Sequence, residues 1–354
     1  MQTDVLIIGQ GLAGSLLAWE LIQRQYRVVA VDSGQQNASL ISAGIINPIT
    51  GMRFALTNDV GILLPAAQSY YTQLAGYFGE SFYQELPMLR LFRNEAEQSF
   101  STQRLQQPAY RNYIKSTDNT NGLMPGFSIA YGCLEQRQTG YLSVAKLLKR
   151  LQEFFVEQQA YRKEILDYRD IHITDDIVWN DINAKQIIFC EGYQMMKNPW
   201  FYWLPMQPVK GEMLTIETDL KLPNAILNNG HWLLPLTQHT ARTGATFDRE
   251  SINNQPTQQG KQALLIELKA MNENLANANI LSHQAGIRPC SADRLPLIGS
   301  HPQHRQMLIF NGFGAKGSLQ IPWYCQRFAD YLQQQTPLPA ACDIHRFQNR
   351  YTAG

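Results

Sequence analysis

The sequence predicts an α/β protein, and stretches at both ends of it say so. Near the start an apolar, β-branched run, Asp4-Val5-Leu6-Ile7-Ile8, stops at Gly9, and a second run, Val28-Val29-Ala30-Val31, stops at Asp32. Near the other end Met307 to Phe310 is apolar again and enters a second glycine-rich turn. Short apolar runs closed by glycine or an acid read as strands buried on both faces, the mark of a parallel sheet.

Between the first two strands lies Gly9-Gln10-Gly11-Leu12-Ala13-Gly14, then Ser15 to Gln25, with Leu16, Leu17, Leu21 and Ile22 at helical spacing and no proline or glycine. Tyr26-Arg27 makes the turn into the second strand. The whole is one βαβ unit. In such a unit Gly9 permits the tight turn, Gly11 admits close approach of a pyrophosphate, and Gly14 lets helix and strand pack closely. The helix N-terminus offers unpaired N–H groups and partial positive charge to phosphates, with Leu12 and Ala13 of the preceding turn also expected to touch the cofactor. Asp32, followed by Ser33, is placed to bind ribose hydroxyls and disfavours a 2′-phosphate. A bare G-x-G-x-x-G is weak evidence, and a ligand-free glycine turn is the bland alternative. Here strand, helix, second strand and terminal acid agree, and they predict a dinucleotide site.

A nicotinamide enzyme would continue in regular βαβ alternation. Instead residues 33–48 are small and polar with turn formers and no helical period, a loop suited to lie against a large flat ligand. A long helix over about Asp59 to Phe78 and a strand-like stretch from Pro87 to Arg93 follow. The second glycine-rich turn, Asn311-Gly312-Phe313-Gly314-Ala315-Lys316-Gly317-Ser318, opens a helix predicted to reach about Gln334. Two strand-to-helix glycine turns at opposite ends of a chain imply a ligand with two ends to hold. FAD is such a ligand: one helix serves its pyrophosphate, the other the flavin edge where negative charge develops on reduction. The second turn also mimics a phosphate loop, but Lys316 precedes Gly317, whereas that loop needs Gly-Lys-Ser/Thr in order.

With 354 residues the chain is long enough for about two domains at roughly 150 residues each. Hydrophobic residues make up 44% and charged residues 17%, enough for a packed core without a disordered tail. The net charge of +1 lacks the basic face that nucleic-acid binding needs, so that partner is unexpected. No apolar run approaches the ~20 residues that cross a bilayer, and Met1-Gln2-Thr3-Asp4 offers no basic leader. The five cysteines form no Cys-x-x-Cys pair and read as free thiols in a reducing compartment. A soluble, cytoplasmic protein is expected.

Beyond these residues a collinear series runs along the chain: Ser42-Ala43-Gly44, Cys190-Glu191-Gly192, Pro208-Val209-Lys210-Gly211, Gly244-Ala245-Thr246, Gly286-Ile287-Arg288-Pro289 with Asp293, Pro296 and Gly299, then Gly312 to Gly317. With the opening βαβ unit, the series resembles the D-amino-acid oxidase family of FAD-dependent amine oxidoreductases, whose branches act on glycine, sarcosine or a modified wobble uridine of tRNA. The resemblance spans nearly the whole chain and is least specific over about Glu80 to Gln136. It implies a discontinuous, Rossmann-like FAD-binding domain (1–58, 137–206 and 283–354) and a mixed or antiparallel-sheet substrate domain (59–136 and 207–282) that roofs the flavin.

On that pattern Gly9, Gly11, Gly14 and Asp32 hold the ADP half, and Ser42, Ala43 and Gly44 line the isoalloxazine. Ile165 falls where the family makes a backbone contact to adenine, and Gly192 ends a strand facing the cofactor. Where relatives commonly have Ala-Thr-Gly this chain has Cys-Glu-Gly, so Glu191 is a departure. Arg288 is the first candidate for the substrate carboxylate, because a guanidinium takes it bidentately; the bland alternative is a buried Arg paired with Asp293. Lys316 would bind the carboxylate or stabilise the reduced flavin, or else be a solvated lysine at a helix start. Arg53 is a third cation. Lys210 and Trp232 fall on segments that reach toward the active site in relatives, with core packing the plainer reading of Trp232.

The chemistry implied is oxidation of the C–N bond of a small amino acid or N-alkyl amino acid by hydride transfer to flavin N5, giving an imine that hydrolyses. It demands alignment and electrostatics more than a proton-handling dyad. The alternatives are a flavin enzyme acting on a carboxymethylamino group of modified tRNA, or a non-catalytic flavin-binding subunit. His301 and His304 read as a surface loop, not a metal site. Cys290 is not where sarcosine oxidases attach flavin covalently, a place near Gly286 here, so FAD is expected to be non-covalent.

Overall fold

The structure, a computed structural model, describes residues 1–117 and 126–352. The chain forms two compact units: residues 1–42, 144–209 and 287–354 make the first, and residues 43–143 and 210–286 the second.

The first unit is built on a mixed sheet. Five of its strands lie in the order Tyr161–Lys163, Val28–Asp32, Gln2–Ile8, Ile182–Phe189 and Met307–Asn311, every neighbouring pair parallel, while Ile171–Ile173, Ile177–Trp179 and Leu297–Ser300 pair antiparallel. Val5, Leu6 and Ile7 are wholly buried, as near-continuous apolar strands require. One face packs on a core that includes Leu6, Val29, Ile187, Phe189 and Ile309. The helices Leu12–Gln23 and Gly317–Gln334 are tied together by Arg24, which lies 2.6 Å from Asp330. The helix Val144–Glu157 buries Val144, Leu147, Leu148, Leu151, Phe154 and Phe155, a 3.6-residue stripe.

The second unit is built on a mostly antiparallel sheet ordered Asn279–Arg288, Val209–Glu217, Thr240–Gly244, Trp232–Pro235, Ile226–Asn228, Met88–Leu91, Cys133–Gln136 and Ile114–Ser116. Ile226–Asn228 and Met88–Leu91 pair in parallel. The period of two sorts side chains between faces. Leu214, Ile216, Leu233 and Ala241 join a core with Leu264 and Leu268 of helix Gln258–Met271. Met88, Ile226 and Leu234 sit on the other face, with Ala43, Ile45, Tyr141 and Trp232 packed against them.

The sequence-based boundaries shift in two places. The first helix begins at Leu12 instead of Ser15, so the last three residues of the glycine motif already form its first turn. The segment after Asp32 is not all loop: Ala38–Ile41 is one helical turn, capped by the Asn37 side chain, which accepts from the Ser39 and Leu40 N–H groups. Four residues are too few to show a period, so the signal lay in the cap. Among the described residues no helix is long and apolar enough to cross a membrane.

Candidate active site

The first glycine turn is shaped by close packing. Gly9 adopts φ +99°, and a Cβ there would stand 2.6 Å from the Cys190 carbonyl oxygen. A Cβ on Gly14 would stand 1.9 Å from the Gly9 carbonyl oxygen. Gly11 differs: within 4 Å its Cβ would meet only Ser39 Oγ, at 3.3 Å. The packing role therefore falls to Gly9 and Gly14, while Gly11 keeps an open approach to the backbone. The first helical bond runs from Ser15 N–H to the Gly11 carbonyl, and Leu12 N–H donates to Ser39 Oγ at 3.0 Å. The N–H groups of Ala13 and Gly14 thus precede the helical ladder, the arrangement that receives phosphate.

Asp32 fixes this turn. Its Oδ2 accepts the Gln10 N–H at 2.8 Å and its Oδ1 the Gly34 N–H at 2.7 Å, with Ser33 between. The Ser42 hydroxyl donates to the Ser39 carbonyl at 2.9 Å, holding Ser39 against the helix start. The Gln10 Nε2 is buried without a hydrogen-bond partner among the described residues. A buried donor left unmatched beside an open glycine and a helix N-terminus fits an acceptor-rich group such as a pyrophosphate.

The second turn leaves the same edge of the same sheet. Met307–Asn311 neighbours Ile182–Phe189, which neighbours Gln2–Ile8. At ~4.8 Å between strands, the two glycine turns start about 10 Å apart. Asn311 Nδ2 donates to the Gly192 carbonyl at 2.8 Å, and its Oδ1 accepts from Gly312 N–H at 2.9 Å. Gly314 N–H donates to the Pro289 carbonyl at 3.1 Å, and Phe313 bridges Cys290. The loop carrying Ala315 and Lys316 therefore lies against the segment that follows Arg288, and Gly317 opens the last long helix.

Two cations lie on these hydrogen-bonded segments. Arg288 and Lys316 are both half-buried, and both have their pKa lowered, first by burial; for Lys316 the charge of Arg294 adds to this. The bland partner considered for Arg288, Asp293, is taken by Arg346 at 2.9 Å. Beneath Gly9 and Gly14, Glu191 accepts from the Tyr168 hydroxyl at 2.7 Å and from Asn198 Nδ2 at 2.9 Å. Burial raises its pKa to about 7 against the lowering by those two donors.

Other candidates lie elsewhere. Ile165, just beyond the edge strand Tyr161–Lys163, is 70% exposed. Ala43, Gly44 and Arg53 belong to the second unit, where Arg53 is exposed between the short strands Ile49–Thr50 and Ala55–Leu56. Lys210 is fully buried in that unit, 3.4 Å from Glu212 Oε1 and donating to Asn253 Oδ1 at 3.1 Å. Glu212 also engages His283 Nε2 at 2.8 Å and the Thr257 hydroxyl at 2.9 Å. This network holds a structural lysine. The surface-loop reading of His301 is corrected: it is 4% exposed, and its Nδ1 accepts the Gln303 and His304 N–H groups. Burial and the His304 charge push its pKa down to about 4. Among the described residues no group of three metal-binding side chains forms. Sequence reading missed Gln10 and Ser39, the latter marked only by lying in the capped turn, and the partners Tyr168 and Asn198 of Glu191.

These features describe an FAD-dependent oxidoreductase. Residues 4–331 match the FAD dependent oxidoreductase (DAO) family, and the chain belongs to it. It is 25% identical over 364 residues to glycine oxidase of Pseudomonas putida, covering 96% of both chains. It is 24% identical over 375 residues to the tRNA 5-methylaminomethyl-2-thiouridine biosynthesis bifunctional protein MnmC of Marinobacter nauticus, with 99% of this chain covered but only 58% of that protein. Its fold is that of glycine oxidase from Geobacillus kaustophilus, with a TM-score of 0.82 over 98% of each chain at 20% identity. The protein is an FAD-dependent oxidoreductase of this family.

Proposed function

We propose that the enzyme oxidises the C–N bond of a small amino acid or N-alkyl amino acid. The observation that carries the reading is that Arg288 and Lys316, both half-buried, stand on two hydrogen-bonded segments at the second glycine turn. A half-buried guanidinium recognises a carboxylate, and its fork fixes the carboxylate's plane.

The first turn, Gly9 to Gly14, with Asp32 and Ser33, would hold the ADP half of FAD, and the backbone at Ile165 its adenine. Ser42, Ala43, Gly44, Gly192 and the turn Gly312 to Gly317 would hold the flavin half, without a covalent bond. When bound, FAD supplies the acceptor for a hydride from the substrate's α-carbon. The chain's part is to bind and align: Arg288 anchors the carboxylate and so fixes the α-carbon, and Lys316 adds positive charge at the same end. Burial, which lowers both pKa values, also strengthens their attraction for an anion. The imine product hydrolyses in water to a carbonyl compound and an amine. Arg53, exposed in the second unit, would add a weaker cation.

The likeness to the tRNA-modifying bifunctional protein favours one further reading, a carboxymethylamino group carried on tRNA. Anaerobic addition of glycine, sarcosine, proline or D-amino acids to the yellow protein separates the two. Bleaching of the oxidised-flavin absorbance by a small amine supports the proposal. Bleaching by modified tRNA alone refutes it in favour of the second reading.

A further inference from the structure

Neither reading gives a task to Glu191, the departure from the family pattern. It follows the strand Ile182–Phe189, which lies between Gln2–Ile8 and Met307–Asn311, so Cys190-Glu191-Gly192 runs between the two glycine turns. On one side a Cβ at Gly9 would stand 2.6 Å from the Cys190 carbonyl oxygen and 3.5 Å from the Glu191 Cα. On the other, Asn311 Nδ2 donates to the Gly192 carbonyl at 2.8 Å. The Glu191 carboxylate accepts from the Tyr168 hydroxyl and from Asn198 Nδ2, and no cation among the described residues pairs with it.

The groups that face it from neighbouring elements supply no counter-charge. Tyr168, packed on Phe189 and Trp200, and Cys190, on the same segment, have their pKa raised first by burial and then by the Glu191 charge, so both stay neutral. Cys325 of the last long helix, near Cys190, is raised by burial in the same way. The first glycine turn carries no titratable side chain, and Asp32 beside it is engaged by the Gln10 and Gly34 N–H groups. At Glu191 burial outweighs the two donors and brings the pKa up to about 7. A pyrophosphate on the free N–H groups of Ala13 and Gly14 adds negative charge to this surrounding, and like charges in one site disfavour the ionised carboxyl. We propose that Glu191 couples cofactor loading to protonation: FAD binds best when this carboxyl carries its proton, and binding above neutrality takes a proton up from solvent. The proposal rests on the reading of residues 9–14 as the pyrophosphate site. Charges about 10 Å apart at an effective dielectric of about 20 interact by roughly one pK unit, a factor of about ten. FAD affinity is therefore full in mild acid, where the carboxyl is protonated with and without ligand, and falls as pH rises through the pKa of the bound form.

Calorimetric titration of the flavin-free protein with FAD at mildly alkaline pH, in two buffers of different protonation enthalpy, counts the protons taken up. The wild type is expected to take up roughly half a proton, and Glu191→Gln, whose side chain stays neutral, markedly less. Between mild acid and mild alkali the FAD Kd, read from flavin fluorescence, should weaken about tenfold more in the wild type than in Glu191→Gln. No uptake by the wild type, or uptake undiminished in the variant, overturns the role of Glu191 and leaves the FAD site in place. The wild-type count decides alone if the Gln variant fails to fold or to load FAD. Should ADP, which carries the same pyrophosphate, fail to compete with FAD, the reading of residues 9–14 falls and the proposal with it.

Discussion

Gly11 and Gly14 lie three residues apart in one turn, yet their environments predict opposite consequences for adding a methyl group. At Gly14 the new Cβ would stand 1.9 Å from the Gly9 carbonyl oxygen and 3.1 Å from Cys190 Cβ. That is roughly 1.5 Å inside an ordinary non-bonded contact. The oxygen belongs to a backbone held by its strand, so helix and sheet must separate. Overpacking typically costs about 1–3 kcal/mol, and a clash with backbone belongs at the upper end. Gly14→Ala should therefore lower the Tm of the FAD-free protein by roughly 5–10 °C. At Gly11 the backbone already has φ −71° and ψ −175°, extended geometry that alanine adopts, and the methyl would meet only Ser39 Oγ at 3.3 Å. The entropy removed from the unfolded chain, worth about 0.4–1 kcal/mol, offsets that contact, so the Tm should move by less than about 2 °C. The cost falls on the ligand: held off the backbone, a phosphate loses charge-assisted hydrogen bonds and FAD binds about tenfold to a hundredfold more weakly. Thermal melts of the flavin-free proteins and titration of flavin fluorescence separate these effects. Equal destabilisation by both substitutions, or an unchanged FAD Kd in Gly11→Ala, refutes the division of roles.

Arg288→Lys should keep bound FAD and raise the substrate KM strongly, because lysine lacks the fork; an unchanged KM in steady-state kinetics makes Arg288 structural. Glu191, with its pKa raised from 4.5 to about 7, contributes stability that is present in acid and lost as pH rises toward 7. Glu191→Gln mimics the protonated form, its amide donating to Tyr168 and its carbonyl accepting from Asn198. The wild type should therefore lose Tm relative to this variant between pH 5 and 8, and parallel Tm curves would contradict the raised pKa. His301, held down to about 4, works in the opposite sense. Its contribution is present above about 6.5 and fades as pH falls toward 4, so His301→Phe should flatten the acid side of the stability profile.

The opening βαβ unit was legible because all its determinants are local: apolar runs of strand length, glycines at fixed offsets, and Asp32 closing the second strand. The second turn was equally legible from Met307 to Ser318. The capped turn Ala38–Ile41 escaped because a single helical turn carries no periodicity. Lys210 resembled a site residue until Glu212, Asn253, Thr257 and His283 enclosed it, and those partners come from strands and loops far apart in the chain. His301 was misplaced for a related reason: its imidazole satisfies the backbone of the loop that follows, so a polar ring is buried where composition suggests exposure.

We propose that the two glycine turns, at residues 9–14 and 312–317, hold different parts of one cofactor. Amide hydrogen exchange of the flavin-free protein, compared with and without saturating FAD or ADP, tests it directly. FAD should slow exchange in both segments, whereas ADP should slow it only in residues 9–14. FAD that protects the first turn and leaves residues 312–317 unchanged would contradict it.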